Sequence, residues 1–146
     1  VNKGACARTE AVETMEESLI RLRASSSNGH YSGHLVDGAT LIRTFGDAVA
    51  EILIRHDGSE GRLETLDAEF LGVVRSGEYI EVRAMLTQSY GMTRRFECTA
   101  YKVIELIQPN GSSTRALPEP ELVAKATAVA TVPRKLAISP RLNVVQ

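Results

Sequence analysis

The amino-acid sequence predicts an α+β domain in which an antiparallel sheet curls around one long helix. Three observations carry this reading. The stretch from His30 to Arg55, HYSGHLVDGATLIRTFGDAVAEILIR, is a glycine- and histidine-bearing loop that runs into a segment apolar along one side. Everything after Gly58 reads as strands with a two-residue period. The resulting order of strand, loop, helix and then four strands has no βαβ alternation, which excludes a doubly wound sheet.

Residues 1–17 are polar and acidic without apolar periodicity and are expected to form a loose N-terminal arm. SLIRLRAS (18–25) alternates Leu19, Arg21 and Arg23 against Ile20, Leu22 and Ala24, the pattern of a half-buried strand. SSSNG (25–29) is a loop by composition. Asp37 is the expected N-cap of the helix, because a side-chain oxygen there can accept from the free N–H groups of the first turn. Leu41, Phe45, Ala48, Val49, Ile52 and Leu53 then recur at helical spacing on one face, and HDGSEG (56–61) ends the run. Strands follow at 62–72, 75–90 and 92–107, with Gly91 placing the last two in an antiparallel hairpin. QPNGSSTRALPEPE (108–121) reads as a long Pro/Gly-rich connection, and ELVAKATAVATVP (121–133) as the final strand. The expected division is an arm over 1–17, one domain over 18–133 and a tail over 134–146. Exposed sheet edges of this kind favour self-association.

Composition sets the outer limits. The chain has 146 residues, 43% hydrophobic and 24% charged, which is one domain with room for a core. A net charge of −1 gives no electrostatic footprint for nucleic acid or an anionic membrane surface. No apolar run approaches the ~20 residues of a membrane span, and the N-terminus lacks a signal-peptide apolar core. Cys6 and Cys98 form neither a metal-ligand spacing nor a disulfide framework, which fits a reducing, cytoplasmic compartment. No His/Cys/Asp trio has metal spacing, so no metal is expected.

The titratable residues each have two readings. Arg43, Asp47, Glu51 and Arg55 fall at i, i+4 steps and can be a solvated charge stripe, each pair contributing about 0.2–0.5 kcal/mol. Asp47 beside Glu51 is a like-charge contact that calls for a cation between them, either an arginine of the stripe or a bound ligand. Asp67 and Glu69 share a strand face with Leu63 and Thr65, by default a solvated one. His30 stands in a Ser/Gly-rich loop, where it is either exposed or placed for proton transfer near neutral pH. His34 and His56 read as surface residues.

The loop His-aromatic-x-Gly-x-x-Val-x-Gly, followed by one helix and an antiparallel strand series, resembles the hot-dog fold enzymes that act on acyl thioesters. Within them, HYSGHLVDGA, FGDAVAEI, DAEF, TQSY and AYKV are similar to the β-aminoacyl-CoA ammonia lyases, over roughly residues 18–131. That group includes the 3-aminobutyryl-CoA ammonia lyase of lysine fermentation, an amino acid degradation route, and its β-alanyl-CoA relative. His30, Tyr31, Gly33 and Val36 match the histidine loop of hot-dog dehydratases. The dehydratase glutamate falls at Thr44, and the acidic residue of related thioesterases at Gly46, so neither carboxylate is present.

The resemblance implies reversible elimination of ammonia from a short β-aminoacyl-CoA. It implies no cofactor beyond the coenzyme A of the substrate, and a homodimer or an assembly of dimers. His30, Asp47 and Glu51 become the acid/base candidates. Gly38 and Ala39 offer backbone N–H donors for a developing enolate oxygen. Asp67 and Glu69 are further candidates for the β-ammonium group, DAEF then lying beside the helix across the dimer junction. Tyr31 and Tyr90 either line the acyl pocket or simply pack. Arg94, Arg95, Arg134 and Lys135 either meet coenzyme A phosphates or are only solvated. A thioesterase, an enoyl-CoA hydratase and a non-catalytic acyl-CoA-binding module of the same fold are the alternatives.

Overall fold

A computed structural model describes residues 16–25, 29–31, 35–107 and 113–134. The N-terminal arm before Glu16, the tail after Arg134, Cys6, His34 and Lys135 lie outside them. The elements in order are β1 (Glu17–Arg23), β2 (Gly29–Tyr31), β3 (Leu35–Val36), α1 (Gly38–Asp57), β4 (Arg62–Phe70), β5 (Tyr79–Tyr90), β6 (Thr93–Leu106) and β7 (Thr114–Thr131). Five strands form one antiparallel sheet in the order β1-β5-β6-β7-β4, and β2 pairs with β3 in a small ribbon. The expected α+β class is what is found, and the glycine-histidine loop contains that ribbon rather than being loop throughout.

The helix lies on one face of the sheet. Its buried residues, Leu41, Thr44, Phe45, Ala48, Val49, Ile52 and Leu53, include all six expected apolar positions. They pack on Ile80, Val82 and Ala84 of β5, on Phe96, Cys98 and Ala100 of β6, and on the alternate alanines of β7 from Ala124 to Ala130. The helix runs closest to β5 and β1. Within the core the Cys98 thiol is free, and burial pushes its pKa up to about 12. No helix among the described residues is long and apolar enough to cross a membrane.

One expectation is corrected. The stretch 108–121 is not all connection, because residues 114–121 form the first half of β7 and pair with β6 as far as Leu106↔Thr114. Prolines are tolerated there for two reasons. Between Lys102↔Glu121 and Ile104↔Ala116 the register slips, so Leu117 to Pro120 bulge opposite Val103. This half of β7 also lies beyond the reach of β4, whose pairing stops at Phe70↔Ala124. Pro118 and Pro120 therefore forfeit no ladder hydrogen bond that the sheet needs.

A buried ion pair stitches the sheet at the end where the helix begins. Glu78 is 1% exposed and Lys102 5%, with Nζ 3.4 Å from Oε1. The Glu78 carboxylate also accepts the backbone N–H of Arg75 at 2.7 Å and of Leu106 at 2.9 Å. One side chain thus ties the turn before β5 to the end of β6. The sequence pattern gave no sign of it, since the partners are far apart in the chain.

Candidate active site

The helix start is built by residues 35–38 and the segment that follows β4. Asp37 is extended (φ −77°, ψ 161°), and its Oδ1 accepts the Thr40 N–H at 3.0 Å and the Thr40 hydroxyl at 2.9 Å. It is the N-cap expected from sequence. By helix geometry the N–H groups of Gly38 and Ala39 have no intrahelical acceptor, and no acidic residue lies in the first turn to compete for them. The first-turn amides therefore offer a partial positive charge to an incoming oxygen.

Residues 70–74 run alongside this start. The Val36 N–H donates to the Val74 carbonyl at 2.8 Å. The Phe70 ring abuts Gly38 so closely that a Cβ there would stand 2.7 Å from the ring tip. The absence of a side chain at Gly38 is what lets the Phe70 ring tip lie against the helix start. Phe70 nevertheless remains 48% exposed, as do Leu71 and Val73 beside it. An apolar wall accordingly flanks the amide donors.

The strand carrying His30 and Tyr31 reaches the same place. β2 pairs Gly29↔Val36 and Tyr31↔Leu35, and Leu35 bridges to Arg75. Their backbone lies at the approach to the helix, while their side chains lie outside the described residues.

Further along α1 the two acids differ. Asp47 is exposed and makes no ion pair among the described residues. Glu51 is held by Arg55 through Nη2–Oε1 at 2.8 Å and a second contact from Nε. Those hydrogen bonds keep the Glu51 carboxyl below the usual carboxylate range. Arg55 also meets Glu16 and donates to the Glu17 carbonyl at 2.7 Å, so this part of the stripe ties the helix to β1. Thr44, where a dehydratase would carry its glutamate, is buried and donates its hydroxyl to the Thr40 carbonyl at 2.9 Å.

Other residues are not gathered at this end. Tyr90 is 57% exposed next to the β5–β6 turn, at the C-terminal end of the helix and about 30 Å from Gly38 by helical rise. It lines no acyl pocket with Gly38 and Ala39 of its own chain. Asp67 and Glu69 lie on the sheet face turned away from the helix, because Leu66 and Ala68 take the inward positions. There they line a groove of about 430 Å³ with Glu97, Thr99, Lys125 and Thr127. Arg94 is unavailable to a phosphate: it forms a two-pronged pair with Asp57 at 2.8 and 3.0 Å. Arg95 and Arg134 are exposed, and His56 lies with its Nδ1 2.9 Å from the same Asp57 carboxylate.

Two side chains here escaped the sequence reading, Phe70 and Glu121. Glu121 sits on β7 opposite Lys102, with its Oε2 2.9 Å from where a Cβ of Gly72 would stand. No local pattern marks either one, since each acts across a sheet.

No family model matches the chain. It is 37% identical over 120 residues, 81% of this chain and 95% of the relative, to a 3-aminobutyryl-CoA ammonia lyase from Acetoanaerobium sticklandii. Among solved structures it is similar to the β-alanyl-CoA:ammonia lyase from Clostridium propionicum, at a TM-score of 0.78 and 23% identity over 81% of this chain and 85% of that one. A Streptococcus mutans protein bound to acetyl CoA shares the fold at a TM-score of 0.63 and 14% identity, covering 82% and 83% of the two chains. One helix packed on a five-stranded antiparallel sheet, with these structural neighbours, is the hot-dog fold. With that fold and a relative matched over nearly its whole length, this chain belongs to the family of β-aminoacyl-CoA ammonia lyases.

Proposed function

We propose that the protein catalyses the reversible elimination of ammonia from a short β-aminoacyl-CoA, either 3-aminobutyryl-CoA to crotonyl-CoA or β-alanyl-CoA to acryloyl-CoA. The observation that carries this is the 37% identity to a named 3-aminobutyryl-CoA ammonia lyase along 95% of its length. The geometry of the helix start supports it. A thioester oxygen docked on the Gly38 and Ala39 N–H groups has its developing enolate charge stabilised by fixed dipoles in a partly apolar setting. A base then removes the α-proton, the C–H electrons move into the enolate, and its collapse expels the β-nitrogen as ammonia.

The acid/base groups we assign are His30, Asp47 and Glu51, with Tyr31 at the acyl group. Asp47 lies about 12 Å along the helix from Ala39 and Glu51 about 18 Å, at ~1.5 Å rise per residue. The carbonyl carbon and β-nitrogen are three bonds apart, about the ~3.8 Å that separates successive Cα atoms. The helix acids therefore serve a site whose amide donors belong to a second subunit, and the enzyme is a homodimer or an assembly of dimers. The free edge of β4 with exposed Leu63, Phe70, Leu71 and Val73 favours this. Asp67 and Tyr90, remote from their own helix start, would likewise have to contribute across subunits. The compartment is the cytoplasm, where a free Cys98 thiol is stable.

Incubation with crotonyl-CoA and ammonium tests the reading, with enoyl thioester absorbance and free thiol followed together. Ammonium-dependent loss of absorbance without thiol is the expected outcome. Loss without ammonium identifies a hydratase, and thiol release a thioesterase. Asp47→Asn and Glu51→Gln should keep the fold, and at least one should lose most of the turnover. Full activity in both removes the helix acids from the mechanism. His30→Ala should slow elimination, and an unchanged rate would make that histidine incidental.

A further inference from the structure

A β-ammonium group needs an anionic partner within a few ångströms of the thioester oxygen, and within one subunit the helix acids stand too far along α1 to supply it. A carboxylate beside the segment that lines the helix start comes from the sheet. Glu121 pairs in register with Lys102, whose side chain is buried on the helix-facing side, so both project toward the helix. Lys102 is turned to Glu78, while Glu121 is exposed and makes no ion pair among the described residues.

Three features bring its carboxylate beside the segment that follows β4. The bulge from Leu117 to Pro120 resets the register of β7 immediately before Glu121. Gly72 has no side chain, and a Cβ there would stand 2.9 Å from Glu121 Oε2 and 3.1 Å from Val123 Cγ1. Gly72 itself lies midway between Phe70, which abuts Gly38, and Val74, which accepts the Val36 N–H. The glutamate thus lies beside the segment that lines the approach to the amide donors.

We propose that Glu121 receives the β-ammonium group of the substrate, in the same subunit whose Gly38 and Ala39 hold the thioester oxygen. This deepens the lyase reading and rests on it. Glu121 then separates aminoacyl from plain acyl thioesters, since its charge is matched only by a cationic β-substituent. An exposed glutamate that is merely solvated would not discriminate between them.

The test compares the wild type with Glu121→Gln as full chains, measuring binding of 3-aminobutyryl-CoA and of butyryl-CoA, which lacks the amine. The variant should bind 3-aminobutyryl-CoA about tenfold to a hundredfold more weakly, the usual loss for a hydrogen bond to a charged group. Its affinity for butyryl-CoA should stay within about twofold and its Tm unchanged, and Glu121→Asp should recover part of the difference. An unchanged affinity ratio in Glu121→Gln, with a wild type that adds ammonia to crotonyl-CoA, overturns the assignment. So does an equal fall in both affinities together with a lowered Tm, which marks a structural role. A wild type inert toward crotonyl-CoA and ammonium instead overturns the lyase reading itself.

Discussion

The two ends of α1 are finished in different ways. At the C-terminal end the chain satisfies itself. Gly58 takes the left-handed conformation (φ 72°) and returns its N–H to the Ile54 carbonyl at 3.0 Å. Asp57 is clamped by Arg94, whose remaining donors reach the Gly91 and Thr93 carbonyls at 2.9 Å. At the N-terminal end Asp37 supplies a cap, but the surroundings are left unfinished. Phe70, Leu71 and Val73 stay exposed, and Glu121 has no described counter-charge. A helix terminus closed by its own chain is structure; one walled by bare apolar surface and an unmatched carboxylate is where a ligand or a second copy completes the protein.

The largest effect should come from opening the closed end. Arg94→Met leaves the buried Asp57 carboxylate with only His56 beside it, and loss of one member of such a pair costs up to about 3–5 kcal/mol. Urea unfolding should show that loss, while turnover per folded molecule should hold because Arg94 spends its donors on Asp57 and on the Gly91 and Thr93 carbonyls. Full stability with lost turnover would reverse the roles of the two ends. The pH dependence gives the sign. Hydrogen bonds from Arg94 lower the Asp57 pKa, so this contribution is present above the ordinary carboxylate value of about 4 and fades as pH falls through the depressed one. The gap between wild type and Arg94→Met should therefore narrow below about pH 4.

Next comes a change at the open end. Gly38→Ala places a Cβ against the Phe70 ring and must displace it or the first helical turn. Misplacement of a docking group by about 1 Å can cost on the order of a hundredfold in rate, so kcat/KM should fall by tenfold to that amount. Gly38→Ala combined with Phe70→Leu should regain part of it. A single variant with full activity would separate the helix start from the chemistry.

What the sequence made legible follows from range. The helix, its Asp37 cap, its six core positions and its Gly58 stop are local patterns, and each stands where the 3.6-residue period put it. The hairpin at Gly91 (φ 57°) is local too. The opening half of β7 was hidden because Pro118 and Pro120 are turn signals unless a one-sided strand and a bulge excuse them. The candidate site was legible only in part for the same reason. Gly38 and Ala39 follow from the cap, but Phe70 reaches the helix start from β4, and Glu121 meets Gly72 from β7. Arg94 read as a free cation because its partner, Asp57, lies 37 residues earlier.

Glu51 gives the smallest effect on stability and sharpens the comparison most, because it belongs to the middle of the helix rather than to either end. Its pair with Arg55 is an exposed i, i+4 contact, so Glu51→Gln should cost no more than about 0.5 kcal/mol. Hydrogen bonding to Arg55 lowers its pKa, so even that contribution is present only above the ordinary carboxylate range and is lost as pH falls below it. Thermal melts at pH 7 and pH 3 of wild type and variant check this, with convergence expected at the lower pH. If turnover then collapses in Glu51→Gln at unchanged stability, the carboxylate leaves Arg55 to act on substrate in the assembled enzyme. If turnover survives while Asp47→Asn loses it, Glu51 is the strut that ties α1 to β1, and Asp47 is the acid that crosses to the other subunit.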